Sequence, residues 1–290
     1  MPAAVEAHAL TKTFGRMSAL RRCDFALPLG KVTGLVGPNG AGKTTLLQLA
    51  IGLRAATDGT IATLGLSPLR ETLKLLSRVG YVAQDRPLYR DFSVSETLGL
   101  GRRLNARWDD AYARGRVARF RIPLERPVRS LSTGQQAQVA LTLALAKRPE
   151  LLLLDEPVAN LDPVARLELL EELMAAVADG VSVILTSNIL GDVEQICEHV
   201  AILVDGRIRV AGDIADLERD HHVIVSPGRL PPREGVQVVE VREAQRQTVA
   251  LVRGSVAPNA REDGTVTRQA TLEEIVLGYL RSATREEVHA

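Results

Sequence analysis

The chain has 290 residues, with 36 basic and 35 acidic side chains for a formal net charge of +1, and it is 46% hydrophobic but only 3% aromatic. The length allows a main domain with an appendage. Near-neutrality supplies no field that favours nucleic acid or anionic lipid over other partners, and Leu, Val, Ile and Ala must fill the core. Two cysteines, Cys23 and Cys197, argue against a disulfide scaffold and read as small core residues in a reducing compartment. The first ten residues include Glu6 and His8 and lack the basic-then-apolar order of a signal peptide. No apolar run approaches a membrane span; residues 139–146 are among the longest, and Thr142 breaks them. Any membrane role is expected to come through a separate partner.

In chain order, residues 5–10 and 23–27 read as strands, with Phe14 in the turn between them. The apolar run 32–36 is a strand leading into a Gly-rich loop, and residues 46–50 behind the loop read as a helix. A polar turn at 56–59 precedes a strand at 60–65, a helix at 71–77 and a strand at 79–83 that ends at Gln84. Residues 93–103, 108–120 and 134–147 have helical patterns separated by Pro- or charge-containing breaks, so residues 87–148 read as a helical insertion in an α/β core. Strands then resume. Leu151–Leu154 is a continuous apolar run, as a strand buried on both faces requires. Pro163–Ala178 reads as a long helix, 181–187 as the next buried strand, and 200–204 with 207–210 as a hairpin around Asp205-Gly206. Alternating strands and helices predict a mostly parallel sheet. After about Asp216 the texture shifts to short strands at 221–225, 236–241 and 248–252, with Pro227, Pro231 and Pro232 between the first two, and an amphipathic helix at 272–280.

Three stretches carry chemistry. Gly37-Pro38-Asn39-Gly40-Ala41-Gly42-Lys43-Thr44-Thr45 fits G-x-x-x-x-G-K-[ST], the phosphate-binding loop, between a strand and a helix. A chance match is on the order of 10⁻⁵ to 10⁻⁴ per start position. The glycines let the backbone curl so that successive N–H groups point at an anion, and a helix N-terminus adds positive potential. Lys43 is placed to reach the β- and γ-phosphates and Thr44 to ligate Mg²⁺. Second, Asp155-Glu156-Pro157 follows the buried run Leu151–Leu154. Carboxylates at the carboxyl end of a parallel strand sit where α/β sheets bind ligands. Asp155 is expected to hold Mg²⁺, directly or through water, and Glu156 to act as general base toward the attacking water. Third, Leu131-Ser132-Thr133-Gly134-Gln135 opens a helix. Taken alone, Ser132 or Thr133 does no more than cap it; with a second anion at hand, the same helix start is a binding end.

These motifs, in this order from Phe14 to Asn188, resemble the ATP-binding subunit of a bacterial ATP-binding cassette (ABC) transporter of the exporter type whose membrane subunit is a separate chain. The resemblance continues to about Gly212. It implies an α/β P-loop NTPase fold: a RecA-like core with a mostly parallel sheet, an antiparallel β part, a helical insertion and a small C-terminal α+β appendage. The ATP-binding domain would cover residues 1–215, with its helical subdomain at about 87–148, and a small C-terminal domain residues 216–290. Gln84 matches the glutamine loop and would touch Mg²⁺ and the attacking water. Residues 131–135 match the signature except that Thr133 replaces a Gly. Asp162 ends a loop resembling the one that follows the catalytic carboxylates, and Phe14 matches the aromatic that stacks on adenine. The resemblance also implies a head-to-tail dimer, a homodimer or a pair with another ABC ATPase subunit. ATP would lie between one chain's loop at Gly37–Thr45 and the other's Ser132, Gly134 and Gln135. Leu88, Tyr89 and Phe92 are expected to line a groove for the transmembrane permease subunit, which would hold the chain peripherally at the cytoplasmic face of the cell membrane.

Two departures bear on rate. The family places a His after the strand at 181–187, where this chain has Asn188; none of His8, His199, His221, His222 and His289 fits the slot. Asn can donate a hydrogen bond to a phosphate oxygen but carries no charge, and losing one aimed electrostatic contact costs about 10²–10³ in rate. Thr133 adds a Cβ beside the partner's phosphate. Slow but real hydrolysis of ATP is expected, with Asn188, Glu156 and Gln84 as the catalytic set. The competing readings are a soluble ABC ATPase acting on ribosomes or nucleic acid, and a non-catalytic nucleotide-gated subunit. A single cassette and neutral charge disfavour the former, and no nucleic-acid partner is expected. No Asn-Lys-x-Asp base-reading motif is present, which argues against a GTPase.

Overall fold

Antiparallel pairing begins the chain. In the computed structural model, which describes residues 2–228, 235–244, 247–256, 261–262 and 264–288, β1 (Ala3–Phe14) pairs with β2 (Met17–Pro28). Pro231, Pro232 and His289 lie outside the described residues. Cys23 and Leu27 face inward on β2 while Asp24 and Ala26 face out, the period-two pattern of a sheet with one covered face. Both strands run longer than their apolar cores suggest, so Phe14 ends β1, paired with Met17, and the turn itself is at Gly15 (φ +58°). The chain then enters the second sheet at β3 (Val32–Val36), buried throughout, and continues into α1 (Lys43–Ala50). β4 (Asp58–Thr63) returns to the free edge of β1 to complete a three-stranded antiparallel sheet.

After α2 (Thr72–Leu76) and β5 (Val79–Val82) come three helices: α3 (Val94–Leu104), α4 (Asp110–Arg119) and α5 (Thr133–Leu145). Their starts are written in the sequence. Ser93 and Glu96 form a reciprocal capping box on α3, and Asp109 caps α4 by accepting from Tyr112 N at 2.8 Å. Val94, Leu98, Val117, Leu131 and Val139 close a small core among these helices. The other face of α5, through Ala137, Leu141 and Ala144, packs into the main core. One helix therefore belongs to two cores.

β6 (Leu151–Leu154), α6 (Pro163–Ala178), β7 (Ser182–Ser187), α7 (Leu190–Ile196), β8 (His199–Val204) and β9 (Arg207–Asp213) complete the six-stranded sheet, in the order β5-β6-β7-β3-β8-β9. All neighbours are parallel except β8 and β9. In register, Val36 sits opposite Ser187 and Leu154 opposite Leu185, so residues 37, 155 and 188 emerge along one carboxyl edge. Val82 is opposite Leu154, which brings Gln84 to that edge as well.

A short helix, α8 (Ile214–Asp220), leads to a five-stranded antiparallel sheet of β10 (His221–Ser226), β11 (Gln237–Ala244), β12 (Gln247–Arg253), β13 (Arg261–Glu262) and β14 (Thr265–Gln269), followed by α9 (Leu272–Val288). The expected division at 215/216 falls within α8. Leu217, Val223, Leu251, Ile275 and Val276 share one apolar cluster with Val200 and Ile202 of the main sheet. His221 fixes the junction: Nδ1 lies 2.7 Å from Leu217 O and Nε2 3.1 Å from the Tyr279 hydroxyl.

One polar cluster is buried between the inserted helices and α6. Glu172 pairs with Arg116, and with Arg119 at 2.5 Å. Arg116 also donates to Thr142 Oγ1 at 3.2 Å and to Gln138 Oε1 at 3.1 Å. Breaking a buried pair costs more than replacing it with apolar residues. Glu172→Ala is expected to destabilise the fold by about 3 kcal/mol, whereas Arg116→Met combined with Glu172→Leu costs much less. Urea denaturation of the single and double variants measures the difference; equal losses would contradict this account.

Candidate nucleotide site

The loop at 37–42 is shaped by what a side chain would strike. A Cβ on Gly37 would lie 2.1 Å from Leu203 O, and one on Gly42 would lie 2.4 Å from Ala19 O. Gly40 and Gly42 have φ of +83° and +108°, a region glycine enters freely. Gly42 is the N-cap of α1, while Pro38, Asn39 and Gly40 are exposed and Ala41 is buried. Lys43 opens the helix and is 5% exposed. Its Nζ donates to Gly37 O at 2.7 Å and to Pro38 O at 3.2 Å, and stands 3.7 Å from Glu156 Oε1. Burial pulls the ammonium below its ordinary pKa, and the charges of Glu156 and Asp155 oppose that pull. Thr44 and Thr45 follow, half-buried, on the first turn.

Two carboxylates leave the end of β6. Asp155 is 1% exposed, and its Oδ1 accepts from Thr186 Oγ1 at 2.9 Å. The same hydroxyl oxygen accepts from Glu156 N at 2.7 Å, so Thr186 on β7 orients both residues. Glu156 has φ +45°, a conformation that non-glycine residues hold only when neighbours over-determine it. Gln84 Nε2 donates to Glu156 Oε2 at 3.4 Å. Asn188 stands exposed just past β7 at the same edge. Gly37–Thr45, Gln84, Asp155, Glu156 and Asn188 thus gather at one rim. Thr186 was not singled out in the sequence, because only strand register reveals that its hydroxyl reaches the neighbouring strand's end.

Ser132, Gly134, Gln135 and Asp162 gather elsewhere. Ser132 caps α5: its Oγ accepts from Gln135 N at 3.2 Å, and its own N donates to Gln135 Oε1 at 3.2 Å. Asp162 caps α6, accepting from Val164 N and Ala165 N at 3.0 Å each. Gly134 faces Ala165, where a Cβ would come within 2.9 Å. These residues line a cavity of about 560 Å³ whose lining includes none of residues 37–45, 84, 155 or 156. Among the described residues, no hydrogen bond or ion pair joins the two groups. Phe14 is half-buried, with Lys12 Nζ and the Arg54 guanidinium each 5.0 Å from its ring centroid, at cation–π distance.

A Gly-rich loop between a parallel strand and a helix, with acidic residues at the end of a second parallel strand, β6, defines a P-loop NTPase. Residues 20–159 match the family model described as ABC transporter. The ABC transporter ATP-binding protein YtrB of Bacillus subtilis is 31% identical over 218 residues, covering 75% of this chain and 74% of that protein. The Nod factor export ATP-binding protein I of Sinorhizobium fredii is 31% identical over 267 residues, covering 90% and 74%. A solved ATP-binding subunit of an ABC transporter superposes with a TM-score of 0.68 at 27% identity, over 74% of this chain and 92% of that one. A cassette dimer bound to ADP and Pi shares the fold alone, with a TM-score of 0.65 at 23% identity over 72% and 98%. The chain belongs to the ATP-binding subunits of ABC transporters and is an ATPase that drives transport. No helix among the described residues is long and apolar enough to cross a membrane.

Beside the rim, a groove of about 420 Å³ runs between α5 and the segment after β5, lined by Val82, Arg86, Leu88, Leu143, Ala144 and Lys147 among others. Leu88 lines this groove. Tyr89 and Phe92 stack on each other, centroids 5.0 Å apart, outside its lining. Burial pulls the Lys147 ammonium from an ordinary 10.5 to about 8. The unfolded chain therefore holds this proton more tightly than the folded one. The penalty is full below pH 8, shrinks as pH rises from 8 to 10.5, and is gone above. Lys147→Met is expected to stabilise the fold by about 1–3 kcal/mol at pH 7, with the gain fading across that window. Urea denaturation at both ends of the window tests this; a gain independent of pH would contradict it.

Proposed function

We propose that two copies of this chain, or one copy and a sister ATPase chain, bind ATP at their shared seam and drive export through a transmembrane partner. The observation that carries the reading is the separation, within one chain, of the rim at Gly37–Thr45 from the capped end at Ser132, Gly134 and Gln135. Each group holds half of a phosphate site. A two-fold, head-to-tail pairing joins the halves twice over. The names of the relatives, Nod factor export among them, support export as the direction.

In this reading Gly37, Asn39, Gly40, Ala41, Gly42 and Thr45 wrap the phosphates with backbone and side-chain donors, Pro38 shapes the turn of the loop without donating, and Lys43 exchanges its carbonyl partners for phosphate oxygens. Phe14 stacks on the adenine. Glu156 accepts a proton from the attacking water, held in place by Thr186 and Gln84. The oxygen donors Thr44, Asp155 and Gln84 fit a hard cation, since the Thr186 contact at Asp155 Oδ1 leaves the other carboxylate oxygen for a ligand. They would hold Mg²⁺, which neutralises phosphate charge when bound. Asp162 faces the partner chain across the seam. Residues 1–215 act as the ATP-binding domain and 216–290 as the C-terminal one. The chain sits peripherally at the cytoplasmic face through its membrane subunit.

Asn188 and Thr133 keep hydrolysis slow. An Asn at the seam offers a neutral donor where a histidine offers charge, and Thr133 brings a Cβ to the helix start beside the partner's phosphate. Asn188 also favours the version in which a sister chain supplies a histidine to the second site. Turnover measured with the membrane partner present tests the account. Glu156→Gln should abolish hydrolysis while ATP still binds, and Asn188→His should raise the rate about tenfold or more. An unchanged rate in Asn188→His would refute the role given to that position.

A further inference from the structure

Arg86 stands two residues past Gln84, with φ +45°, in the segment between β5 and α3. Its guanidinium Nη2 donates to Pro157 O and to Ala159 O, both at 3.0 Å. No carboxylate pairs with it among the described residues, and burial alone pulls its pKa down. The same side chain lines the groove beside Val82, Leu88 and Lys147. One residue thus touches both the groove and the backbone that runs from Glu156 to Asp162.

That backbone is under constraint. Glu156 and Asn160 hold φ of +45° and +60°. Its internal ties are short turns, Ala159 N to Glu156 O at 3.1 Å and Leu161 N to Val158 O at 3.3 Å. Two carbonyls of the loop are bound by a single cationic donor, and such charge-assisted bonds are stronger than neutral ones. Gln84, from the same segment, reaches the Glu156 carboxylate. Residues 84 and 86 therefore grip this stretch at its start and middle.

We propose that Arg86 is a positioning residue: it ties the loop 157–162 to the floor of the groove, so that a membrane partner seated there sets where Glu156 and Asp162 stand at the seam. The proposal rests on the reading of function above, in which this chain drives a transmembrane partner, and takes that partner to seat in the groove that Leu88 lines. A merely structural tie would hold the loop without affecting how turnover responds to the partner, and the two are separable.

The test compares wild type with Arg86→Ala, Arg86→Gln and Arg86→Lys in the full chain, alone and with its membrane partner. Amide hydrogen exchange is read at residues 158–162, together with ATP affinity, kcat and KM. Arg86→Ala should speed exchange in that loop about tenfold and leave ATP affinity within about twofold, since the hydrogen bonds of Arg86 go to Pro157 and Ala159 and not to residues 37–45. It should lower kcat about ten- to a hundredfold at unchanged KM and erase the stimulation by the partner that wild type is expected to show. Arg86→Lys, which keeps the charge, should recover part of each effect. Should the alanine variant fold poorly, Arg86→Gln gives the same comparison with the side-chain length nearly kept. Unchanged exchange overturns the proposal, and so does faster exchange with turnover and stimulation intact. Absence of any partner-stimulated turnover in wild type would instead sink the reading of function, while the exchange comparison still decides the tether.

Discussion

A buried ammonium 3.7 Å from a carboxylate, at the rim where β3 and β6 end, is the constraint on which the rest of this molecule depends. Lys43 and Glu156 come from distant parts of the chain, and each is costly to bury alone. The sheet makes the pairing affordable by bringing their strand ends into register and supplying fixed partners. Gly37 and Pro38 carbonyls hold the ammonium. Thr186 holds the backbone of Glu156 and the side chain of Asp155 with one hydroxyl. Glycine at 37 and 42 is demanded by carbonyls of neighbouring segments before any ligand is considered.

The second constraint is that the two functional groups of the chain belong to different bodies of packing. The rim rests on the six-stranded sheet, whereas Ser132 caps a helix shared between the main core and the core of the inserted helices. Arg116 and Glu172 fasten that insertion to α6, the helix that Asp162 caps. The groove is thus bordered on one side by α5, which Ser132 caps, and on the other by Arg86, which binds the carbonyls of Pro157 and Ala159. The C-terminal sheet is joined to the same main core through Leu217, Ile275 and Val276, so it is built against the cassette and not strung from it.

Much of this was legible in the sequence where chemistry and spacing coincide. The loop at 37–45 announces itself through glycine and lysine spacing, Leu151–Leu154 through unbroken hydrophobicity, and α6 through its long helical pattern over Pro163–Ala178. What escaped has a common cause. α8 mixes acidic and apolar residues over seven positions, too short for a periodic signal, and β13 has two residues. Thr186 and Arg86 act through contacts that only register and loop path create. Phe14 is expected in the turn between strands read at 5–10 and 23–27, yet pairing with Met17 extends the strand to its end. Tyr89 and Phe92, expected beside the groove, stack on each other and stand exposed, a contact that sequence proximity alone does not show.

The central claim is that one chain's rim and another's capped helix enclose the same triphosphate. Sedimentation of the Glu156→Gln chain with Mg-ATP tests it most directly, since binding without hydrolysis should trap the closed pair. The account predicts a nucleotide-dependent dimer that Ser132→Arg reduces to a monomer still able to bind ATP. A dimer that forms equally well with Ser132→Arg, or a chain that takes up no nucleotide, would contradict it.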